Sequence, residues 1–202
     1  MDARWAVIGD VVASRRHPDR RSLAAALEDA FERVAARVPS GDGPLATIGD
    51  EFQASYPNRD DALAATLWIH VALVGQARVR MGIGHGEIIH DEGRFPFGQD
   101  GPAWWRAREA LERVASSESG RGRPRRLTAV EGADDPLVDR YLTVRDHLVA
   151  ELDSDDAVVL GALADGASQL AIADRLGVHP SSVSRRITDH GLRELLVGAE
   201  AP

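Results

Sequence analysis

Two aspartates, Asp10 and Asp50, each close a short apolar run on a glycine: Ala6-Val7-Ile8-Gly9-Asp10 and Ala46-Thr47-Ile48-Gly49-Asp50. A run of β-branched residues ending in Gly-Asp reads as a buried strand that delivers a carboxylate at its tip. Two such tips on adjacent strands would make a hard oxygen site for Mg²⁺ or Mn²⁺ and a phosphate. The plainer reading is that both are turn aspartates, because Gly-Asp is ordinary turn chemistry. Their recurrence, and the residues that follow each, favour the paired site.

Those carboxylates need a scaffold, and the patterning along the chain supplies one. A strand at about 4–10 runs into a polar turn, and a helix follows over about 22–38, with Leu23, Leu27, Phe31 and Val34 at helical spacing. Residues 40–44 read as a loop, then 45–48 and 52–56 as two strands joined tightly at Gly49-Asp50. A helix over 58–75 has Asn58 as its N-cap and Gly75 as its stop. A strand over 78–84, a helix over 102–116 and a strand over 126–130 complete the set, with the Arg-rich stretch 121–126 as a solvated loop or a phosphate contact. This order predicts an α+β, ferredoxin-like domain over 1–132, an antiparallel sheet with helices packed on one face. A connecting helix over 133–150 and an all-α unit over 151–202 follow.

The chain has 202 residues, 44 % of them hydrophobic, enough for one ample domain and a small module. It has no cysteine and no lysine, since all 24 basic residues are arginine, which removes thiolate chemistry, Schiff bases and a P-loop lysine. No apolar run approaches a membrane span and Arg4 interrupts any leader-like start, which predicts a cytoplasmic protein with no membrane partner. A net charge of −8 argues against broad nucleic-acid coating but leaves room for a locally basic reading helix.

The stretch from Ala6 to Ser14 resembles the first strand and phosphate loop of class III nucleotidyl cyclases. Thr47-Ile48-Gly49-Asp50-Glu51-Phe52 resembles their central hairpin, and also the Gly-Asp-Glu-Phe hairpin of diguanylate cyclases. Residues 78–88, ending Gly84-His85-Gly86-Glu87-Ile88, resemble the cyclase strand that closes on a Gly-x-x-Gly-Glu turn. Gly101-Pro102-Ala103 with Arg106 and Arg108 resembles the start of the helix carrying the transition-state arginine. As a whole, the chain resembles the SatD-like family of small bacterial proteins. The resemblance implies metal roles for Asp10 and Asp50, phosphate binding by the backbone of Val11, Val12, Ala13 and Ser14, and a catalytic role for Arg108.

The departures from the cyclase pattern are specific. Trp104-Trp105 stands where the cyclase helix offers an asparagine to the ribose, and Ala46 lies nearest to the position of the purine-reading lysine. Losing those contacts removes orientation that an intramolecular attack needs, which argues against turnover. If active, the protein would be a metal-dependent nucleotidyl cyclase. Several other residues keep two readings. The indoles of Trp104 and Trp105 would stack on a base or fill a core. His85 and His90 would bind metal or simply face solvent, and Glu51 would be a third ligand or a solvated hairpin residue.

Ser168 to Ile187 resembles a helix-turn-helix of bacterial transcriptional regulators. Ala173 is small enough for two helices to cross, Gly177 suits the left-handed residue that ends the first, and Pro180 suits the start of the second. Ile172, Leu176, Val178, Val183 and Ile187 would form the shared core, with a helix over about 154–164 completing a three-helix unit. That leaves Ser181, Ser182, Ser184, Arg185 and Arg186 for DNA bases and phosphates. Against this, residues 151–202 hold nine acidic residues and four arginines, so a protein-binding module is the rival reading. The combined expectation is a DNA-binding one-component regulator, working as a homodimer, whose cyclase-like domain binds a nucleotide or another phosphorylated small molecule. The alternatives are an active cyclase and a protein-interaction adaptor.

Overall fold

The computed structural model describes residues 3–47, 49–90, 99–117, 126–133 and 135–199. Strand β1 (Ala3–Val11) lies at the centre of a five-stranded sheet. It pairs antiparallel with β3 (Glu51–Tyr56) on one side and β4 (Val79–Glu87) on the other. Strand β2 (Asp42–Ala46) extends the β3 side. Helix α1 (Arg20–Arg37) links β1 to β2, and α2 (Arg59–Ala72) links β3 to β4. This βαββαβ order with the strands as β2-β3-β1-β4 is the ferredoxin-like arrangement that the periodicity predicts. Two short strands, β5 (Ile89–His90) and β6 (Gln99–Asp100), pair separately, and helix α3 (Pro102–Ser117) then leads to β7 (Thr128–Glu131), which joins β4 in parallel.

Two boundaries differ from the sequence reading. Strand β2 begins at Asp42, inside the expected loop, and Gly75 (φ +76°) lies in the turn after α2 rather than at its last residue. Asn58 does cap α2, accepting from the Asp61 amide.

The helices occupy both faces of the sheet, not one. Val7 and Val11 of β1 face a large core with Leu27, Phe31 and Val34 of α1 and Ala65 and Ile69 of α2. Ala6 and Ile8, on the opposite face, pack with Ala103, Trp104, Ala107 and Leu111 of α3. Alternating glycines on β4 make this second layer possible. A Cβ on Gly82 would lie 2.1 Å from the Ala107 carbonyl oxygen, and one on Gly84 2.1 Å from that of Ala103. Strand β4 therefore runs on to Glu87, where sequence reading places a Gly-x-x-Gly-Glu turn: the glycines answer the helix above them.

Helix α4 (Pro136–Val149) is fixed to the sheet by a buried charge pair. Arg145 donates to Asp146 Oδ1 (2.9 Å), Thr128 Oγ1 (2.6 Å) and Thr66 Oγ1 (2.8 Å). Asp146 Oδ2 accepts the amides of Leu127 (2.7 Å) and Thr128 (2.6 Å). His70 Nε2 lies 3.1 Å from the Thr128 hydroxyl, and burial, then the Arg145 charge, pushes its pKa well below the usual histidine value.

Four helices follow: α5 (Ser154–Ala164), α6 (Gln169–Leu176), α7 (Pro180–Asp189) and α8 (Leu192–Leu196). Ile172, Ala173, Val183 and Ile187 are buried as expected, in a core continuous with that of α1 and α2. Leu176 only borders this core and Val178 is exposed, so the core is completed by Val159, Leu160, Leu192 and Leu195 instead. The Trp68 indole N–H donates to the Ala199 carbonyl (3.3 Å), tying the end of the chain to α2. Among the described residues, no helix is long and apolar enough to cross a membrane.

Candidate functional site

The two Gly-Asp pairs sit in different backbone settings at one end of the sheet. Asp10 is not at a tip: β1 continues through Val11, and Asp10 stands in register between Glu51 and Arg80. Its glycine has a packing cause, since a Cβ on Gly9 would lie 2.1 Å from Cζ of Phe52. Asp50 is a turn residue beside Gly49 (φ +75°). The two come together through the Val11 amide, which donates to the Asp50 carbonyl (3.3 Å).

Each acidic side chain here is already held. Arg80 forks onto Asp10, Nε to Oδ1 at 2.8 Å and Nη2 to Oδ2 at 2.7 Å. Arg108 forks onto Glu51 at 2.8 and 2.9 Å. The Ser14 hydroxyl donates to Asp50 Oδ2 at 2.5 Å. The hydrogen bond to Glu51 raises the Arg108 pKa, partial burial opposes this, and the charges of Glu51, Glu112 and Asp10 add to the rise. Asp10 and Asp50 thus lie near one another, but with guanidinium and hydroxyl groups on the oxygens a cation would need. The described residues contain no group of three or more His, Cys, Asp or Glu side chains arranged to hold a metal ion. A Mg²⁺ or Mn²⁺ ion on Asp10 would have to displace the Arg80 fork.

Arg80→Met is expected to lower unfolding free energy by about 2–3 kcal/mol, because it leaves a half-buried carboxylate without its counter-charge. A urea titration measures this, and an unchanged midpoint would show that the fork contributes nothing.

The loop after β1 is only partly available to phosphate. The Val11 amide is bound to Asp50 and that of Val12 to the Arg78 carbonyl (2.8 Å). Ala13 adopts a left-handed conformation (φ 56°), the one non-glycine residue to do so among the described residues. The amides of Ala13 and Ser14 donate to no backbone carbonyl among the described residues.

Beside Arg108 lies a groove of about 410 Å³ lined by Ile8, Gln53, Gln99, Asp100, Trp104 and Trp105. Trp105 is 59 % exposed, with its indole N–H on Asp100 (2.7 Å). Trp104 is buried, and among the described residues its N–H meets no partner; nor do the side-chain oxygen and nitrogen of Gln99. Buried donors and acceptors without partners are costly, and here they share the lining of one groove. The sequence marks Trp104-Trp105 as a stacking candidate, but Gln99 carries no local signal.

In the C-terminal helices, Gly177 (φ 67°) ends α6 and His179 caps α7 ahead of Pro180. Ser181, Ser184 and Arg185 are exposed and Ser182 is half-buried. Arg186 is turned inward: it donates to Asp153 (2.8 Å), Asp155 (3.0 Å) and Asp156 (2.8 Å) at the start of α5. Asp156, fully buried, also meets His190 Nδ1 at 2.8 Å. Arg186 thus bolts α7 to α5. His85 stacks on Trp5 at 4.5 Å between centroids.

These features define a ferredoxin-like α+β protein with an acidic cluster at one sheet end, held by Arg80, Arg108 and Ser14, and with four short helices after α4. The chain belongs to the SatD family, whose model matches residues 4–199. Comparison with curated proteins found no match. Among solved structures, a bacterial light-regulated adenylyl cyclase is similar at 14 % identity and a TM-score of 0.48, covering 63 % of this chain and 42 % of that one. A second structure so described has 17 % identity and a TM-score of 0.44, covering 63 % of this chain and 74 % of that one. The guanylyl cyclase Cya2 has 16 % identity and a TM-score of 0.39, covering 55 % and 70 %. The chain therefore spans less than half the length of the first of these.

Proposed function

We propose that this protein is a ligand-responsive DNA-binding regulator in which residues 1–132 sense, 133–150 connect and 151–202 read DNA. The observation that carries the sensing half is the groove at Trp104 and Trp105. The exposed Trp105 ring offers a stacking face, and the Trp104 N–H and Gln99 amide, without partners among the described residues, offer hydrogen bonds to a planar polar ring such as a nucleobase. A phosphate on the same ligand would compete with Glu51 for the Arg108 fork, since a guanidinium binds phosphate and carboxylate with the same geometry. The amides of Ala13 and Ser14 are the remaining donors in the β1 loop. Turnover is not part of this reading, because Asp10, one of the two carboxylates that would hold metal, is taken by the Arg80 fork.

A thermal-shift screen of nucleoside mono-, di- and triphosphates tests it. A binding nucleotide is expected to raise the melting temperature equally in EDTA and in Mg²⁺ or Mn²⁺, and Trp105→Ala is expected to abolish the shift. Pyrophosphate release in the presence of metal would overturn the non-catalytic part.

For the reading half, the exposed face of α7 supports DNA contact by Ser181, Ser184 and Arg185, with Ser182 at its edge. Arg186 supports it indirectly, by orienting α7. A homodimer would present two such helices to successive half-sites. Arg185→Ala is expected to weaken retention of a duplex from the protein's own promoter about tenfold at constant melting temperature. Arg186→Ala is expected instead to lower the melting temperature, because three aspartates lose their shared counter-charge. Retention that is absent at every salt concentration, with one dominant protein partner on crosslinking, would favour the adaptor reading that the acidic surface of these helices suggests.

A further inference from the structure

A second and larger groove, of about 590 Å³, runs between α1 and α2 on one wall and α5 and α6 on the other, and its lining shares no residue with the acidic cluster. Its floor is apolar, with Val34, Trp68, Val71 and Ala162 buried there. Three arginines stand around it: Arg33 and Arg37, a helical turn apart on α1, and Arg175 on α6. Arg37 lies over the Trp68 ring at 4.3 Å and pairs with Asp165 at 2.5 Å. Arg33 pairs with Asp29, which is not in the lining. Asp165 is the one acidic residue in the lining, so the groove is cationic in a chain whose net charge is −8.

Gly161 adds an independent indication. It lies inside α5, where glycine is a poor helix former. A Cβ there would meet nothing within 4 Å, so packing does not demand glycine; the position opens onto the groove. Local rules broken without a packing cause are most often found at functional sites.

We propose that this groove binds a small amphiphilic anion: an apolar body against Trp68, Val71 and Val158, and a carboxylate- or sulfonate-type head taken by Arg37 and Arg175. The dimensions suit a ligand of ordinary metabolite or drug size. The head would exchange with Asp165 on Arg37, one anion for another, so the guanidinium stays paired throughout. The Trp68 ring is covered by Arg37 in the free protein, and the ligand body would slide beneath the displaced guanidinium. The site is distinct from the nucleotide groove, and neither depends on the other.

The test uses 8-anilinonaphthalene-1-sulfonate, whose fluorescence rises in apolar surroundings, and its uncharged relative N-phenyl-1-naphthylamine. The native protein is expected to bind the sulfonate at one site per chain, with energy transfer from tryptophan that falls in Trp68→Phe, where Trp5, Trp104 and Trp105 remain as more distant donors. Gly161→Leu, whose Cβ meets nothing within 4 Å and whose side chain would extend into the groove, is expected to abolish binding while leaving the melting temperature unchanged or higher. Should Gly161→Leu fail to fold, Arg37→Gln with Arg175→Gln is the second variant, expected to weaken the sulfonate at least tenfold and the neutral dye little. Sulfonate binding that survives in folded Gly161→Leu would overturn the location. Equal affinity for the two dyes in the native protein would overturn the anionic class.

Discussion

Asp146→Ala is expected to destabilise the protein by about 3–5 kcal/mol, a large share of the roughly 5–15 kcal/mol that holds a typical domain together. The carboxylate is fully buried and its loss is felt twice. Arg145, 2 % exposed, keeps its charge with no counter-ion, and the strand amides of Leu127 and Thr128 lose their acceptor. The double variant Arg145→Met, Asp146→Leu is expected to recover part of this loss, because a buried apolar pair has no charge to desolvate. Urea midpoints on the three proteins measure it, and a single-variant loss under about 1 kcal/mol would refute the clamp. The same network sets a pH dependence. His70 is held neutral, its folded pKa well below 6.5, so the unfolded chain takes up a proton first as the solution is acidified. Its contribution to stability is complete above pH 6.5 and is lost as pH falls from there towards the depressed folded value. His70→Gln should flatten that part of the stability curve.

Gly84→Val is expected to be the most damaging single substitution in the sheet. The new Cβ would lie 2.1 Å from the Ala103 carbonyl oxygen and 2.3 Å from the Ala107 amide nitrogen. Both are backbone atoms of α3, so no rotamer change relieves the clash and the helix itself must lift. Lifting it uncovers Ala6, Ile8, Trp104 and Leu111 together, and with Trp104 goes the wall of the tryptophan groove. A loss of more than about 4 kcal/mol is expected, at the far end of what point substitutions do. Near-ultraviolet circular dichroism should lose its tryptophan signal before helicity falls, and a native-like spectrum would refute the account. Gly161→Ala is the contrasting case: the same type of change in open space should stabilise α5 by about 0.5–1 kcal/mol.

Most of the elements were legible in the sequence because each carries a local signature. The apolar run of β1, the spacing of Leu23, Leu27, Phe31 and Val34, and the Gly177–Pro180 punctuation all act within a few residues. The strand order followed from the alternation of strands and helices. The side of the sheet taken by α3 is not legible from the 78–84 strand pattern alone; the period-two glycines at 82, 84 and 86 mark the face of β4 on which α3 lies close. The site was half legible. Asp10 and Asp50 do meet at one sheet end, but the forks from Arg80 and Arg108 depend on strand register and on the helix across the sheet. Arg80 opposes Asp10 only because β4 pairs with β1 at that offset. Arg186 shows the same limit: on its own helix it reads as a surface cation, and only the fold of α5 against α7 brings three aspartates to it.

The Phe52 ring over Gly9 has a consequence for the evolution of this chain. The glycine before Asp10 and the phenylalanine that follows Glu51 are one feature written at two positions, since the ring occupies the volume of a missing side chain. Substitution at either is constrained by the other: a homologue with any larger residue at 9 must carry a smaller one at 52, and the reverse. The pair should drift in step whatever Asp10 binds, so the Gly-Asp signature can outlive any metal chemistry of its aspartate.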